Sequence, residues 1–185
     1  LLTVTADTND PTLDVNGNFT ISANATFVAS ATASFTVAGN WSKSGTFTHS
    51  NGTVTFDDNS KTTTFSGSTI FYKLTCNTGS KNLTFTAGTT QTIASGGTLT
   101  LNGQACGTMI ILRSTSTSQW NINVPAPATG SYVDVQYSNA TGSAITANNS
   151  KNSGNNTNWT INLGTCGYAT SGFLISATYD TQVSD

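Results

Sequence analysis

Between Ser34 and Phe56 (SFTVAGNWSKSGTFTHSNGTVTF) apolar and polar positions alternate with period two. Phe35 and Val37, then Phe47, then Val54 and Phe56 take one phase, while Thr36, Thr46, Thr48, Thr53 and Thr55 take the other. Alternation of this kind turns one set of side chains to a buried face, so it predicts three short strands, each covered on one side. Gly39-Asn40, Ser44-Gly45 and Asn51-Gly52 separate them. These residues tolerate positive φ or bond their own backbone, which predicts corners.

The apolar anchors recur with a beat. Phe19, Phe27 and Phe35 stand at eight-residue steps, Phe47, Phe56 and Phe65 at nine, and Phe85, Ile93 and Leu101 at eight, with Leu74 between the last two sets. Even spacing at this interval fits an antiparallel β-sandwich or a parallel β-solenoid whose successive faces each take one beat. Three beats give a coil of roughly 24 residues and about six coils stacked at roughly 4.8 Å. Two-residue hairpin turns, which a sandwich uses freely, have one good example here, Asn51-Gly52. That favours the solenoid. A transmembrane barrel would carry an apolar outer face, and here the second phase is threonine. From Thr12 to Val124 there is no proline, as fully paired interior strands require.

The ends read differently. Leu1–Asp7 (LLTVTAD) is an alternating strand set apart by Asn9-Asp10-Pro11, so residues 1–11 form an arm. It caps the domain or adds Leu2 and Val4 to the exposed edge of a neighbouring subunit. Residues 12–163 form the solenoid, and 164–185 a C-terminal cap or linker in which Gly172–Asp180 (GFLISATYD) reads as a last strand.

Composition narrows the function classes. Thr (37), Ser (22) and Asn (20) dominate the 185 residues, charged residues are 8%, and Glu is absent. Few helix formers remain. Eight Asp against six Lys and Arg leave no basic stripe for nucleic acid and no cationic face for a membrane surface. No run of eighteen apolar residues predicts a membrane-spanning helix. No charged-then-apolar leader stands at Leu1, so for an exported protein the signal is expected to have been removed. Of the three cysteines, Cys76 shares its phase with Tyr72 and Leu74 and reads as a small core residue. Cys106 and Cys166 lie beside glycines in corner-like sequence and are candidates for one disulfide, although spacing alone does not fix connectivity.

The run Gly39–Cys76 (GNWSKSGTFTHSNGTVTFDDNSKTTTFSGSTIFYKLTC), with Ser131–Ala140 (SYVDVQYSNA) and Ser153–Ile161 (SGNNTNWTI), resembles the Thr/Gly/Asn-rich β-helix domains of long surface proteins from bacteria of poorly cultured lineages. The resemblance covers about Ala33 to Ile161. It implies a right-handed parallel β-solenoid in a stalk-like or adhesive extracellular protein, with no catalytic residues to carry over. This chain is far shorter than those multi-domain proteins, so a processed subunit or a fragment of one is the expectation.

Some solenoids cleave acidic polysaccharides with clustered carboxylates, so Asp57, Asp58 and Asp134 are the acidic candidates. Adjacent residues on a strand point to opposite faces, which spoils Asp57 and Asp58 as a general acid and base. Asp134, in Tyr132-Val133-Asp134-Val135, is expected to face water, so its loss together with the other two is expected to cost little. His49 shares phase with Phe47 and ends its strand, which suits a packed or corner histidine better than a base. No nucleophile elbow, phosphate loop or paired-histidine metal motif occurs, and no cofactor is expected.

Nine Asn-x-Ser/Thr sequons begin at Asn18, Asn24, Asn40, Asn51, Asn82, Asn139, Asn148, Asn155 and Asn158; in so Asn- and Thr-rich a chain many arise by composition alone. Asn40 and Asn51, at corners, would be the most accessible, followed as glycosylation candidates by Asn18, Asn82 and Asn139. Trp41, Trp120 and Trp159 read as core or corner fillers rather than sugar-stacking platforms. The polar tract Asn148–Asn158 forms either a corner of stacked amides or a loop. The expected function is that of an extracellular, non-catalytic structural protein of the cell surface whose partner is itself, joined head to tail. A carbohydrate-binding or adhesive module is the alternative, and a polysaccharide-degrading β-helix enzyme the third.

Overall fold

The structure, a computed structural model, describes residues 2–166 and is built almost wholly of parallel strands. The first coil comprises β1 (Leu2–Thr5), β2 (Leu13–Val15) and β3 (Phe19–Ile21); the second β4 (Ala25–Val28), β5 (Phe35–Val37) and β6 (Trp41–Lys43); the third β7 (Thr46–Thr48), β8 (Thr53–Thr55) and β9 (Thr63–Ser66). In the fourth and fifth, β10 (Thr69–Cys76) and β12 (Thr90–Leu101) each run round a corner and serve two faces before β11 (Asn82–Phe85) and β13 (Ile110–Ser114). The sixth has β14 (Trp120–Asn123), β15 (Ala128–Ser131) and β16 (Val133–Val135), and the seventh β17 (Ser138–Ala140), β18 (Ile145–Asn148) and β19 (Lys151–Asn152). An eighth begins with β20 (Trp159–Ile161) and a 3₁₀ turn, Gly164–Cys166.

Each strand lies on the equivalent strand of the coil before it, and every ladder is parallel. The chain is therefore a parallel β-solenoid with three faces, and the antiparallel sandwich is excluded. Leu2–Thr5 is not a detached arm: it pairs with Ala25–Val28 as the first rung of the first face. Seven rungs at the usual strand spacing make a stack about 30 Å tall.

Coil length is less regular than the beat predicts. Leu2 lies on Ala25 and Thr26 on Thr46, close to the expected step, whereas Thr90 lies on Asn121, and Asp134 on Lys151 only seventeen residues further on. The coil that starts at Thr90 is lengthened by an irregularity at Ala94–Gly97 and by the corner 102–109, which carries Cys106. The later coils are tight because Tyr132 and Tyr137 turn the chain on either side of β16 at φ of 52° and 53°. Corner glycines act differently from expectation. Gly52 does not take a positive φ; Ser50 and Asn51 do. Gly52 is needed for space, since a Cβ there would strike the carbonyl oxygen of Ser30 on the coil below.

The interior phase is filled as the alternation requires. Phe35, Phe47, Phe56, Phe65, Leu74, Phe85, Ile93 and Leu101 are buried, as are Trp41 and Trp120. Phe65, Phe85 and Trp120, from the third, fourth and sixth coils, form a stack with ring centroids 4.5 and 3.7 Å apart, and each such pair contributes about 1 kcal/mol beyond area burial. Phe19 and Phe27, also expected inside, are only partly buried: Phe19 lies in the first coil, covered from one side, and Phe27 in the second, where its neighbour in the first is Val4, itself half-exposed. At that edge Leu2 and Val4 are 66% and 49% exposed. Gly172–Asp180, the expected last strand, lies outside the described residues.

Candidate functional site

Cationic side chains are used chiefly to tie coils together. Lys81 follows the corner that ends β10, in phase with Leu83 and Phe85, and its side chain points inward and is fully buried. Its ammonium donates to the carbonyls of Ala38 (2.9 Å), Asp58 (2.7 Å) and Lys61 (2.9 Å), which come from the equivalent corners of the two coils beneath. All three donors are thus satisfied, which is the condition for burying an ammonium at tolerable cost. Burial pulls its pKa below the ordinary lysine value, and the nearby Cys76, Asp58 and Asp57 act the other way. Lys61 reaches back to the Asn16 carbonyl at 2.7 Å, and Lys43 forward to that of Ser68 at 3.0 Å.

The densest polar cluster surrounds Asp134, which the sequence places in water and the structure does not. Its flanking Val133 and Val135 do point inward, and Asp134 points outward, yet it is only 8% exposed. Neighbouring rungs cover it. Arg113 donates through Nη2 to Asp134 Oδ2 and through Nη1 to the Asp134 and Leu112 carbonyls, all at 2.8–2.9 Å, and Ser153 Oγ donates to Oδ1 at 2.5 Å. Lys151, stacked on Asp134 in register, brings its ammonium to 3.7 Å. Burial acts to raise the Asp134 pKa, but the hydrogen bonds from Arg113 and Ser153 and the charges of Arg113 and Lys151 outweigh it and hold the carboxyl below its ordinary value.

Beside this cluster a groove of about 460 Å³ is bounded by the Cys106–Cys166 disulfide, with Met109, Ile111 and Leu163 on its apolar side and Ser80, Thr165, Asp134 and Lys151 as its polar groups. The disulfide joins the long corner of the fifth coil to the start of the eighth. Cys76 is buried and free, and burial pushes its thiol up to about 11, which makes it an inert core group.

The other acidic candidates stand elsewhere. Asp57 and Asp58 lie not on a strand but in the corner between β8 and β9. Asp58 accepts from the Ser60 hydroxyl (2.6 Å) and backbone N–H (2.9 Å) and pairs with Lys61 at 3.1 Å, contacts that hold its pKa down to about 2. His49 is a corner residue: its Nδ1 accepts from the Asn51 N–H at 3.0 Å and its ring stacks on Tyr72. The structure therefore does not bring Asp57, Asp58, His49 and Asp134 into one site. Among the described residues no three of His, Cys, Asp or Glu converge as a metal set, and no helix is long and apolar enough to cross a membrane.

Comparison with known proteins adds no assignment. The chain matches no family model, no curated protein and no solved structure.

The sequon asparagines divide by what their amides do. Asn18 Oδ1 caps the Asn40 N–H and Asn40 Oδ1 caps that of Thr64, so these two exposed residues form a corner ladder. Asn51 is exposed at its corner, while Asn82 and Asn139 are half-buried on strands, the latter donating to Asn121 Oδ1 at 3.0 Å. The Asn148–Asn158 tract holds β19 between two corners and its amides are bonded: Asn156 Nδ2 donates to the Val135 carbonyl and to Asn152 Oδ1, and Asn158 Nδ2 to the carbonyls of Ala140 and Gly142. Trp41 and Trp120 are core residues, and Trp159 is half-buried with Nε1 donating to Ser138 Oγ. Sequence reasoning missed Lys81 and Arg113. For Lys81 a signal existed, its phase with Leu83 and Phe85; for Arg113 the Asp134 acceptors are 21 residues away and local pattern offers none.

Proposed function

We propose that the chain is a non-catalytic structural element of an extracellular surface protein, a stalk or filament segment whose partner is another copy of itself. The observation that carries this reading is the edge of the first rung. Among the described residues β1 has no partner on its outer edge, with Leu2 and Val4 exposed beside the half-covered Leu13, Val15 and Phe19, a surface completed by one more rung. The disulfide agrees with an oxidising compartment, and the cationic and amide groups described above are engaged in holding coils together rather than converging on a reactive centre. Sedimentation velocity and electron microscopy test the reading. The native chain is expected to form rods that lengthen with concentration, and Leu2→Lys with Val4→Lys to leave monomers with an unchanged melting curve. Monomers at every concentration, or rods indifferent to the two lysines, would refute self-assembly through this edge.

A carbohydrate-binding module is the second reading, favoured by the groove beside the disulfide with its half-exposed Lys151 and apolar Leu163. A glycan array separates the two.

A further inference from the structure

The second face of the solenoid, made by β2, β5, β8, the ends of β10 and β12, β15, β18 and β20, carries one unbroken outward column. Register places Thr36 on Asp14, then Thr55, Thr75 and Thr100 in succession. The Asn102–Ser131 bridge puts Thr129 over Thr100, and Thr146 and Thr160 follow. Seven consecutive rungs thus present a threonine at the same position, each between two inward-pointing residues such as Val54 and Phe56 or Leu74 and Cys76. Thr36 donates to Asp14 Oδ1, whereas the six hydroxyls from Thr55 to Thr160 have no protein partner among the described residues. One side of the column is bordered by a second polar row, Asn102, Ser131, Asn148 and Asn162, whose side chains bond along the axis: Ser131 Oγ to Asn102 Oδ1 at 3.2 Å and Asn162 Nδ2 to Asn148 Oδ1 at 2.9 Å. From Thr98 onwards these outward strand positions carry no charged side chain.

Backbone pairing fixes the separation of these hydroxyls at about 4.8 Å. In a tetrahedral water network with O–H···O contacts of about 2.75 Å, two waters bonded to the same third lie about 4.5 Å apart. The mismatch is about 0.3 Å per rung and adds up to about 1.5 Å over the five steps from Thr55 to Thr160, about a third of the lattice repeat. Threonine suits such a lattice, because its hydroxyl can replace a lattice water while its β-branched stem holds that hydroxyl in few rotamers.

We infer that this face binds ice, its occupant being the ordered lattice of water itself, with the hydroxyls from Thr55 to Thr160 standing in for one row of lattice oxygens. The inference does not depend on the self-assembly proposed above. It is tested on the whole chain by partition into a slowly growing ice hemisphere and by inhibition of ice recrystallisation. The native chain is expected to enter the ice and arrest recrystallisation. Thr75→Val with Thr100→Val, which keeps shape and removes two hydroxyls, is expected to raise the concentration required at least severalfold, and Thr100→Tyr at least tenfold. Thr84→Tyr, outward on the third face, leaves it unchanged. Circular dichroism melting establishes that each variant is folded. Exclusion of the native chain from ice, equal activity in the valine variant, or equal loss with Thr84→Tyr overturns the inference. So does a native dimer that Thr100→Tyr converts to monomer, since the occupant would then be a second copy.

Discussion

Replacing Lys81 by methionine removes the ammonium while keeping a stem of similar length, so the change falls on the three carbonyls it binds. Each hydrogen bond to a charged donor contributes about 1.5–3 kcal/mol, a gross loss of roughly 5–9 kcal/mol. Two terms offset it. The Ala38 carbonyl keeps a weak contact from Thr63 Oγ1 at 3.4 Å, and removing the ammonium relieves its desolvation, a cost of several kcal/mol per buried ion. The net loss should be about 3 kcal/mol, because the Asp58 and Lys61 carbonyls remain partly buried and lose their donor. For a chain of this size that is roughly 6–12 °C in melting temperature. Thermal and urea unfolding followed by circular dichroism measure it. A loss below about 1 kcal/mol would refute the reasoning, since it would mean that the three carbonyls find other partners and that Lys81 is not what fastens these corners together.

Two further outcomes follow from the polar cluster and the disulfide. Asp134→Asn leaves Arg113 partly buried without its counter-charge and should cost about 1–3 kcal/mol. Because the folded-state pKa of Asp134 is depressed, its contribution is complete above the ordinary carboxylate value of 3.8 and disappears as pH falls through the lower folded value. The native protein should therefore lose stability in acid more steeply than the variant, and parallel urea midpoints from pH 6 to pH 2 would contradict this. Reduction of Cys106–Cys166, which spans 60 residues, should cost up to about 4 kcal/mol through the entropy regained by the unfolded chain. The check is the urea midpoint with and without reductant, and an unchanged midpoint would show that the disulfide does not restrain the unfolded chain.

What was legible in the sequence was what repeats at short range. Phe35, Phe47, Phe56, Phe65, Phe85, Ile93 and Leu101 declared their faces because a strand buried on one side enforces period two, and three such beats close a coil. Phe19 and Phe27 obey the same rule and still fall short of burial, since phase says which way a side chain points and not how fully the neighbouring coils cover it. The same distinction explains Asp134. Outward was right and solvated was wrong, because on a stacked sheet the outward neighbours are the residues one coil away, here Arg113 and Lys151. The threonine column was visible as composition on the second phase; its alignment was not, because coil length varies between seventeen and thirty-one residues and only the backbone ladders fix which threonine meets which.

The disulfide also determines how the solenoid would carry load. It fastens the corner that ends the second face of the fifth coil to the turn that follows the first strand of the eighth, passing over the sixth and seventh on the same side. Tension applied between Leu2 and a point beyond Cys166 would travel through two sulfur atoms and bypass everything between them. Those coils could be sheared or peeled locally, but their contour would not be released: the covalent shunt withholds about 200 Å of chain from extension, at some 3.3–3.6 Å per residue. Under pull, the molecule would behave as a strand ladder from Leu2 to the fifth coil, joined to a sealed block.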